Sequence, residues 1–427
     1  MPIRTAAKGQ IFVSSQRLWS VSFSWRSIRT FGPTANSRRE KLMSNDDDRG
    51  AIDESRRAFV KTAAIGGAAL ATGVALGTTQ AKAGNSDKPA AVGSDKVQIK
   101  FAGYPLDRIT TLIDGRVQVE GCDFQYEKAG ITKLNSTAIG GDQAWDVQEI
   151  GLHPYMLAYA NGGLRDYSLI PVFPLRTFRH KSIFVRSDSG IERPADLRGK
   201  KVCVSAYSQS SLVWIRGILE HEYGVKPADM HWVISSKSSE GKASKNESVR
   251  PKGIPIEDGP AGKDESELLV DGAVDAVFSA KEPQAFIDGN PIVTRLFSDS
   301  RATEHAYFEK TRIFPIMHAV AIRNDVIEKY PWLPKRTFEA YSQAKSLMYE
   351  NMRDIGWAMV ALPWFAQELD DTRKLMGDNF WSYGLTPDNR KTLDALFLYS
   401  HEQGFSKQKL SIEELFHPST LELTEES

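Results

Sequence analysis

Two prolines, Pro171 and Pro174, separate the chain into two successive series of predicted strands and helices. Proline fixes its own φ angle and has no N–H to donate to a neighbouring strand. The chain must therefore leave a strand near Phe173 or Pro174. A fold in which one sheet continues through this point is excluded, and a crossing from one α/β unit to another is favoured.

The same segment, Pro171–His180, is rich in arginine and aromatic side chains. Arg176, Arg179 and His180 suit a planar anionic ligand, because guanidinium groups pair with carboxylates through two parallel hydrogen bonds. An ordinary strand end, with its arginines paired to local carboxylates, is the alternative. A second segment of similar character, Phe314-Pro-Ile-Met-His318, follows far downstream.

Strand patterns alternate with helix patterns on both sides of the prolines. Alternation of apolar and polar residues predicts strands at 97–102, 122–126 and 145–150, and again at 201–205 and 231–234. An amphipathic helix is predicted from Ser208 to Tyr223, ended by Gly224. This pattern predicts an α/β fold with largely parallel sheets in two lobes, the type II periplasmic binding protein-like architecture, with a helical C-terminal third.

The predicted boundaries follow from these patterns. Residues 1–83 are a leader and 84–96 a linker, 97–181 form the first lobe, and 182–313 form the second lobe with a mobile insertion at 235–265. Residues 314–427 form the return crossing and C-terminal helices that pack on the first lobe, with helices predicted at 331–352, 353–369 and 391–403. The crossings themselves are predicted at 179–185 and 314–322, with the ligand bound in the cleft between the lobes.

The leader predicts export. Ser55-Arg-Arg-Ala-Phe-Val-Lys61 precedes an uncharged Gly/Ala-rich run, and Ala81-Lys-Ala83 offers a signal-peptidase site. Together they indicate a twin-arginine signal with cleavage near Ala83 and a periplasmic protein. The run is shorter than the ~20 apolar residues of a spanning helix, so the mature protein is not expected to cross a membrane. Met43 is a second candidate start, in which case residues 1–42 are not translated.

Charge and cysteine content narrow the function classes. Residues 1–83 carry thirteen Lys/Arg and six Asp/Glu, whereas the whole chain is neutral, so the mature part has a net charge of −7. A mildly acidic protein of this kind is not expected to bind nucleic acid. Cys122 and Cys203 lack metal-type spacing and are predicted to be two buried thiols.

Several longer motifs resemble 4,5-dihydroxyphthalate decarboxylases and their relatives. The resemblance runs in order from about residue 97 to 418, and the fold it implies is that of NMT1/THI5-type solute-binding proteins. The motifs are Asp107-Arg108, Pro171–Pro174 with Phe178-Arg-His180, Val213–Leu219, Glu222–Val225, Phe314–His318, Met376–Asp378, Phe380–Leu385 and His401–Gly404. The resemblance implies an aromatic dicarboxylate substrate and release of carbon dioxide. The export signal and the long insertion depart from the family pattern.

That chemistry assigns roles to the candidate residues. His180 or His318 supplies a proton to the ring carbon, since an imidazole near its ordinary pKa is an effective general acid. The remaining residues bind substrate. Arg108, Arg176 and Arg179 are expected to bind carboxylates, and Phe173, Phe178 and Phe314 are expected to contact the faces of the ring. Tyr104 and Glu149 are expected to bind the ring hydroxyls. Tyr207, Ser208 and Ser211 are expected to bind a carboxylate at the N-terminus of a helix.

No cofactor is predicted. His180, His318 and Glu149 have side chains that commonly bind divalent metals, so a metal held by these three residues is an alternative. Two functions also stay open. One is an exported carboxy-lyase of hydroxyphthalate-type acids. The other is a non-catalytic binding protein that passes an anionic aromatic ligand to the membrane permease of an ABC-type transporter.

Overall fold

The computed structural model describes residues 96–237, 249–358 and 360–425, which belong to a compact unit running from Ala90 to the C-terminus. The leader, nearly all of the linker and residues 238–248 of the insertion lie outside the described residues. No helix within the described part is long and apolar enough to cross a membrane.

The first sheet has five strands in the order β2-β1-β3-β11-β4. Its strands are β1 (Val97–Gly103), β2 (Cys122–Lys128), β3 (Val147–Gly151), β4 (Tyr167–Ile170) and β11 (His318–Arg323). Strand β1 pairs in parallel with β2 and β3, whereas β11 runs antiparallel to β3 and β4. Strand β11, the last of these strands along the sequence, thus lies between β3 and β4, which come much earlier in the sequence.

The second sheet has six strands in the order β10-β5-β9-β6-β7-β8. Its strands are β5 (Ile183–Arg186), β6 (Lys201–Val204), β7 (His231–Ile234), β8 (Ile256–Asp258), β9 (Ala276–Phe278) and β10 (Val293–Arg295). Strand β6 is parallel to β7 and β9, and β5 is antiparallel to β9 and β10. Apart from the edge strand β8, the strand order therefore repeats that of the first sheet. In both sheets the antiparallel inner strand follows a crossing from the other sheet, which confirms the predicted two-lobed α/β fold.

Helices cover both sheets and form most of the C-terminal third of the described residues. The α-helices are α1 (Thr110–Ile113), α2 (Ile131–Gly140), α3 (Leu152–Gly162), α4 (Ser210–Tyr223), α5 (Glu265–Val270), α6 (Gln284–Ile287), α7 (Ser300–Thr311), α8 (Asn324–Lys329), α9 (Leu333–Arg353), α10 (Phe365–Met376), α11 (Pro387–Glu402) and α12 (Ile412–Leu415). The 3₁₀ helices are Asp107–Ile109, His180–Ser182, Pro194–Leu197, Pro227–Asp229, Ile355–Trp357 and Pro418–Thr420. Helix α4 ends where Gly224 takes a left-handed conformation with φ 65°.

The two crossings pair with each other. The chain leaves β4 after Ile170 and enters β5 at Ile183, and it returns to β11 at His318. Between them, Thr177 N donates to Pro315 O (3.1 Å) and Met317 N donates to Leu175 O (2.9 Å). The segments Leu175–Thr177 and Pro315–Met317 thus form a short antiparallel ribbon, which we call the hinge ribbon. The ranges predicted for the two crossings extend beyond it into β5 and β11.

One apolar core runs through both lobes. Buried residues of the first sheet, such as Phe101 and Ile150, and of the second sheet, such as Val202 and Phe278, belong to the same packed cluster. His153 at the start of α3 strengthens this link, since its Nδ1 lies 2.6 Å from Ser208 O and its Nε2 lies 3.0 Å from Ser400 Oγ. The lobes are therefore joined by packing as well as by the hinge ribbon.

The C-terminal helices pack on both lobes, which corrects the expectation that they pack on the first lobe. Helix α9 contacts α1 and the 3₁₀ turn at Asp107–Ile109 of the first lobe, whereas α11 packs along α4 of the second lobe. The helix predicted at 353–369 is also displaced. Its apolar pattern includes Pro363, and the chain forms the 3₁₀ turn Ile355–Trp357 before α10 begins at Phe365.

Part of the predicted insertion forms regular structure that the sequence pattern did not predict. Residues Ile256–Asp258 form β8 and add a parallel edge strand to β7. Asp264 then caps α5 by accepting a hydrogen bond from Glu267 N (2.9 Å). Three residues between Pro255 and Gly259 are too few to give a readable strand pattern, and strand pairing with β7 supplies what the local sequence lacks.

Gly217 is required by the contact between α4 and α11. A Cβ atom at this position would lie 2.1 Å from the Tyr399 ring, in a buried interface. We expect Gly217→Ala to lower the free energy of unfolding by about 1–3 kcal/mol because the helices must separate. Urea denaturation measures the change. The control is Gly140→Ala at the end of α2, where a Cβ atom meets no other group. Equal stability of the two variants would contradict this account.

Candidate functional site

A carboxylate–imidazole pair lies where β3 and β11 adjoin. Glu149 in β3 and His318 at the start of β11 are brought together by the antiparallel register of the two strands. His318 Nδ1 lies 2.5 Å from Glu149 Oε1, and the two side chains are 9% and 1% exposed. At this separation Nδ1–H donates to the carboxylate, which fixes the orientation of the imidazole ring.

Tyr104 completes this cluster. Its backbone N donates to the second Glu149 oxygen, Oε2 (2.9 Å), and its ring stacks on the His318 ring with centroids 5.6 Å apart. The preceding residue must be small, since a Cβ atom on Gly103 would lie 2.3 Å from the Tyr126 hydroxyl and 3.1 Å from Glu149 Oε2. The end of β1 thus holds both the carboxylate and the imidazole in place.

The second ring nitrogen of His318 makes no hydrogen bond within the described residues. It is not among the fully buried atoms that lack a partner. Nε2 is therefore not engaged by the described part of the protein while Nδ1 is held by Glu149. An imidazole with one nitrogen anchored and the other open can donate a proton to a bound molecule.

Arg108 and Trp381 form the core of a second cluster beside the hinge ribbon. The Arg108 guanidinium lies 4.0 Å from the Trp381 ring centroid, and its Nε donates to Pro174 O (2.5 Å). Its Nη1 donates to Asp107 Oδ1 (2.7 Å). In the described part of the chain its Nη2 has neither a partner nor complete burial. Arg108 thus keeps one donor for a ligand.

Aromatic rings extend this cluster along the ribbon. Phe314 lies edge-to-face with Trp381 (5.3 Å) and stacks on Phe178 (4.7 Å). Phe178 in turn contacts Phe308 of α7. Two of the three phenylalanines predicted to hold a ring are therefore together. Phe173 is not with them, because its side chain is fully buried and packs against Phe416.

Arg176 serves the chain itself. Its Nε and Nη2 donate to Phe314 O, and its Nη1 donates to Asn389 Oδ1 (2.8 Å) and Ser382 O (3.2 Å). Burial lowers its pKa to about 9. These bonds tie the hinge ribbon to the C-terminal helices, so the structure gives Arg176 a mainly structural position.

Arg179 is buried in the second lobe with few partners. Its Nη1 donates to Ala280 O (3.2 Å) and Ser182 Oγ (3.4 Å), and its Nε has no partner among the described residues. Burial lowers the pKa of this guanidinium to about 10. A buried cation held by such weak contacts remains able to pair with an anion.

His180 does not lie with His318, which corrects its assignment as an alternative proton donor. Its ring is enclosed by Tyr223, Phe297 and Tyr307, and neither nitrogen has a partner in the described part. Burial lowers its pKa to about 4, so the ring is neutral near pH 7. A neutral, enclosed imidazole has no proton to deliver to a ligand.

The segment before α4 differs from its prediction as well. Tyr207 is fully buried under the Arg216 guanidinium (3.8 Å), which places it in the core and not at a ligand. Helix α4 begins at Ser210, so Ser208 lies outside its first turn and its carbonyl is occupied by His153. Ser211 lies in the first turn of α4 and is buried.

Metal ligation by His180, Glu149 and His318 together is not supported, since the structure places His180 in a separate aromatic enclosure. No group of three or more His, Cys, Asp or Glu side chains arranged for a metal occurs in the part of the chain that the structure describes. Sequence reasoning missed Trp381, although it stands inside the motif Phe380–Leu385.

Comparison with known proteins adds the family. The family model described as NMT1/THI5 like matches residues 170–249. A 4,5-dihydroxyphthalate decarboxylase of Comamonas testosteroni is 36% identical over 327 residues, covering 77% of this chain and 98% of that protein. A protein of the same name from Pseudomonas putida is 32% identical over 214 residues, covering 50% and 82%.

Among solved structures, the periplasmic aliphatic sulphonate binding protein SsuA of Escherichia coli is similar to this chain. It matches with a TM-score of 0.47 and 17% identity, covering 78% of this chain and 96% of that chain, a likeness that concerns the fold alone. The two decarboxylases are much more similar to this chain in sequence than SsuA is. The match to the Comamonas testosteroni protein extends over both lobes. The chain belongs to the 4,5-dihydroxyphthalate decarboxylase family.

Proposed function

We propose that this protein is a carboxy-lyase that removes carbon dioxide from a hydroxyphthalate-type aromatic carboxylate. The observation that carries the proposal is the buried Glu149–His318 pair with Nε2 of His318 left open. The names of the relatives from Comamonas testosteroni and Pseudomonas putida support the same reaction.

The proposed reaction balances with a single proton. The bond between the ring carbon and the carboxylate breaks, its electron pair stays on the ring carbon, and the carboxylate leaves as carbon dioxide. The proton on Nε2 of an imidazolium His318 is transferred to that ring carbon. Glu149 keeps Nδ1–H bound and the ring oriented throughout, and solvent then reprotonates Nε2 of His318. Each turnover consumes one proton.

The cluster at the hinge ribbon is proposed to orient the substrate. Nη2 of Arg108 pairs with a carboxylate oxygen while Trp381 covers one face of the guanidinium. Phe314 and Phe178 offer an apolar surface for the ring. A carboxylate held at a fixed angle to the ring loses conjugation with it, which lowers the barrier to its departure.

We further propose that the protein is exported through the twin-arginine pathway and cleaved near Ala83. Support comes from Arg56 and Arg57, the uncharged run after them and the Ala81-Lys-Ala83 site. The substrate would then be met in the periplasm.

A non-catalytic binding protein serving an ABC-type permease is the second candidate, favoured by the topology of the two sheets. Release of ligand to a permease requires the lobes to separate. The shared core and the contacts of His153 with Ser208 and Ser400 oppose a wide opening. These features favour an enzyme with a preformed site.

The test is a reaction of the purified protein with 4,5-dihydroxyphthalate, followed by measurement of released carbon dioxide and of 3,4-dihydroxybenzoate. Loss of either carboxylate from this symmetric acid gives that single product. Equal amounts of the two are expected. Tight binding of the acid without either product would favour the binding protein.

A further inference from the structure

A cavity of about 360 Å³ lies between the hinge ribbon and the loop that follows β9. Leu175, Arg176 and Arg179 line it from the ribbon side, and Lys281 and Glu282 line it from the loop. Lys181 also lines it, so the lining includes four cationic residues and one acidic residue. Glu282 is itself paired with Arg295 (3.1 Å). The lining of the cavity therefore holds more cationic than acidic residues, although the sequence from Gly84 onward is acidic.

Arg179 is the buried donor of this cavity. The residue is 6% exposed and its Nε has no partner within the described residues. Its other contacts, to Ala280 O and Ser182 Oγ, are long for charged hydrogen bonds. Glu304 interacts with Arg179 through its charge, but the hydrogen bond it accepts comes from the Lys181 backbone N (3.1 Å). The charge of Glu304 offsets the burial of this guanidinium only in part, since the pKa of Arg179 is still lowered to about 10.

The cavity and the Glu149–His318 pair share the hinge ribbon. Leu175 lines the cavity, and its carbonyl accepts a hydrogen bond from the His318 backbone N (3.2 Å). Pro174, the preceding residue, accepts the hydrogen bond from Arg108 Nε. The cavity and the Glu149–His318 pair are therefore connected through neighbouring residues of one ribbon.

We propose that Arg179 binds a carboxylate in this cavity, and that this carboxylate is the one the substrate retains after losing the other. The inference rests on the proposed function and makes the site selective for aromatic dicarboxylates over monocarboxylates. Arg108 and His318 act on the carboxylate that leaves, and the Arg179 cavity holds the one that stays. Lys181 adds to the positive field of the cavity.

The test compares phthalate with benzoate by isothermal titration calorimetry, since neither carries the hydroxyls needed for reactivity. The wild-type protein is expected to bind phthalate at least about tenfold more tightly than benzoate. Arg179→Met should weaken phthalate binding by about tenfold and leave benzoate binding within twofold. The matched control is Arg116→Met, which removes an exposed arginine paired with Asp114 in the first lobe. It should leave both affinities unchanged.

Lys181→Met provides a second variant in case Arg179→Met does not fold, because Lys181 is exposed. It should weaken phthalate binding by about threefold and benzoate binding by less. Sulfate should compete with phthalate at the cavity and not with benzoate. Simultaneous binding of sulfate and phthalate would overturn the proposal in favour of a site for free anions.

Three other results would overturn it: equal affinity of the wild type for the two acids, equal losses in the Arg179 variant, or the same loss in the Arg116 control. The outcome is separable from that of the proposed reaction. Selective binding without carbon dioxide release refutes the lyase and keeps the dicarboxylate site. Carbon dioxide release with an unchanged preference in Arg179→Met does the reverse.

Discussion

Replacing His318 by asparagine is expected to lower the rate of carbon dioxide release from 4,5-dihydroxyphthalate at least 100-fold, because general acid catalysis of this kind contributes about 10²–10⁴. Asparagine keeps a polar group near Glu149 but has no acidic proton to transfer. Affinity for the substrate should stay within about threefold, since Arg108 and the aromatic rings remain. Single-turnover kinetics and calorimetry measure the two quantities separately.

Two further variants sharpen this test. Glu149→Gln keeps an acceptor for the hydrogen bond from Nδ1–H but removes the negative charge beside the ring, so the rate should fall. His180→Phe should keep the rate within threefold, because His180 lies in an aromatic enclosure away from the pair. Equal loss in His318→Asn and His180→Phe would contradict the assignment of the proton donor.

Acid is expected to destabilise the fold strongly between pH 6.5 and pH 4. Burial lowers the pKa of both His153 and His180 to about 4, from 6.5. Below pH 6.5 the unfolded chain binds protons that the folded chain does not, so the free energy of unfolding falls as pH falls toward 4. Each histidine contributes about 3 kcal/mol to this loss. The stability these two groups supply is fully present above pH 6.5.

Urea denaturation at a series of pH values measures this effect. His180→Phe should reduce the loss between pH 6.5 and pH 4 by about 3 kcal/mol, because phenylalanine fills the enclosure without a titratable group. His231→Gln, a change at a solvent-exposed histidine, should keep the wild-type dependence. If the wild type and His180→Phe lost the same free energy of unfolding between pH 6.5 and pH 4, His180 would bind its proton equally well in the folded and unfolded states, which would contradict this account.

The sequence predicted the elements whose signal is local. Proline at 171 and 174 marks the crossing because its backbone chemistry does not depend on the rest of the fold. The strands near 97 and 122 and the helix ending at Gly224 follow from side-chain periodicity. Strand β8 was missed because three residues carry no usable period, and its pairing with β7 is a tertiary effect. The helix predicted at 353–369 was wrong in its first half, because the apolar residues around Pro363 have the spacing of a helix although the chain does not form one there.

Candidate site residues could be chosen by type but not by environment. Glu149 and His318 were both selected, yet their contact depends on the register between strands that are distant in the chain. His180 and His318 each follow a proline-containing segment, and only packing separates the enclosed ring from the open one. Tyr207 and Phe173 looked equally suited to a ligand and lie in the core. Trp381 reaches Arg108 across more than 200 residues of sequence, which no local pattern reports.

The most direct test of the account is the reaction in deuterium oxide. Wild-type protein and 4,5-dihydroxyphthalate should give one carbon dioxide per substrate and 3,4-dihydroxybenzoate with one deuterium on the ring carbon that lost the carboxylate, detected by proton NMR and mass spectrometry. His318→Asn should give this product at least 100-fold more slowly. Binding of the acid with no carbon dioxide and no deuterated product, in protein whose fold is verified, would contradict the central claim.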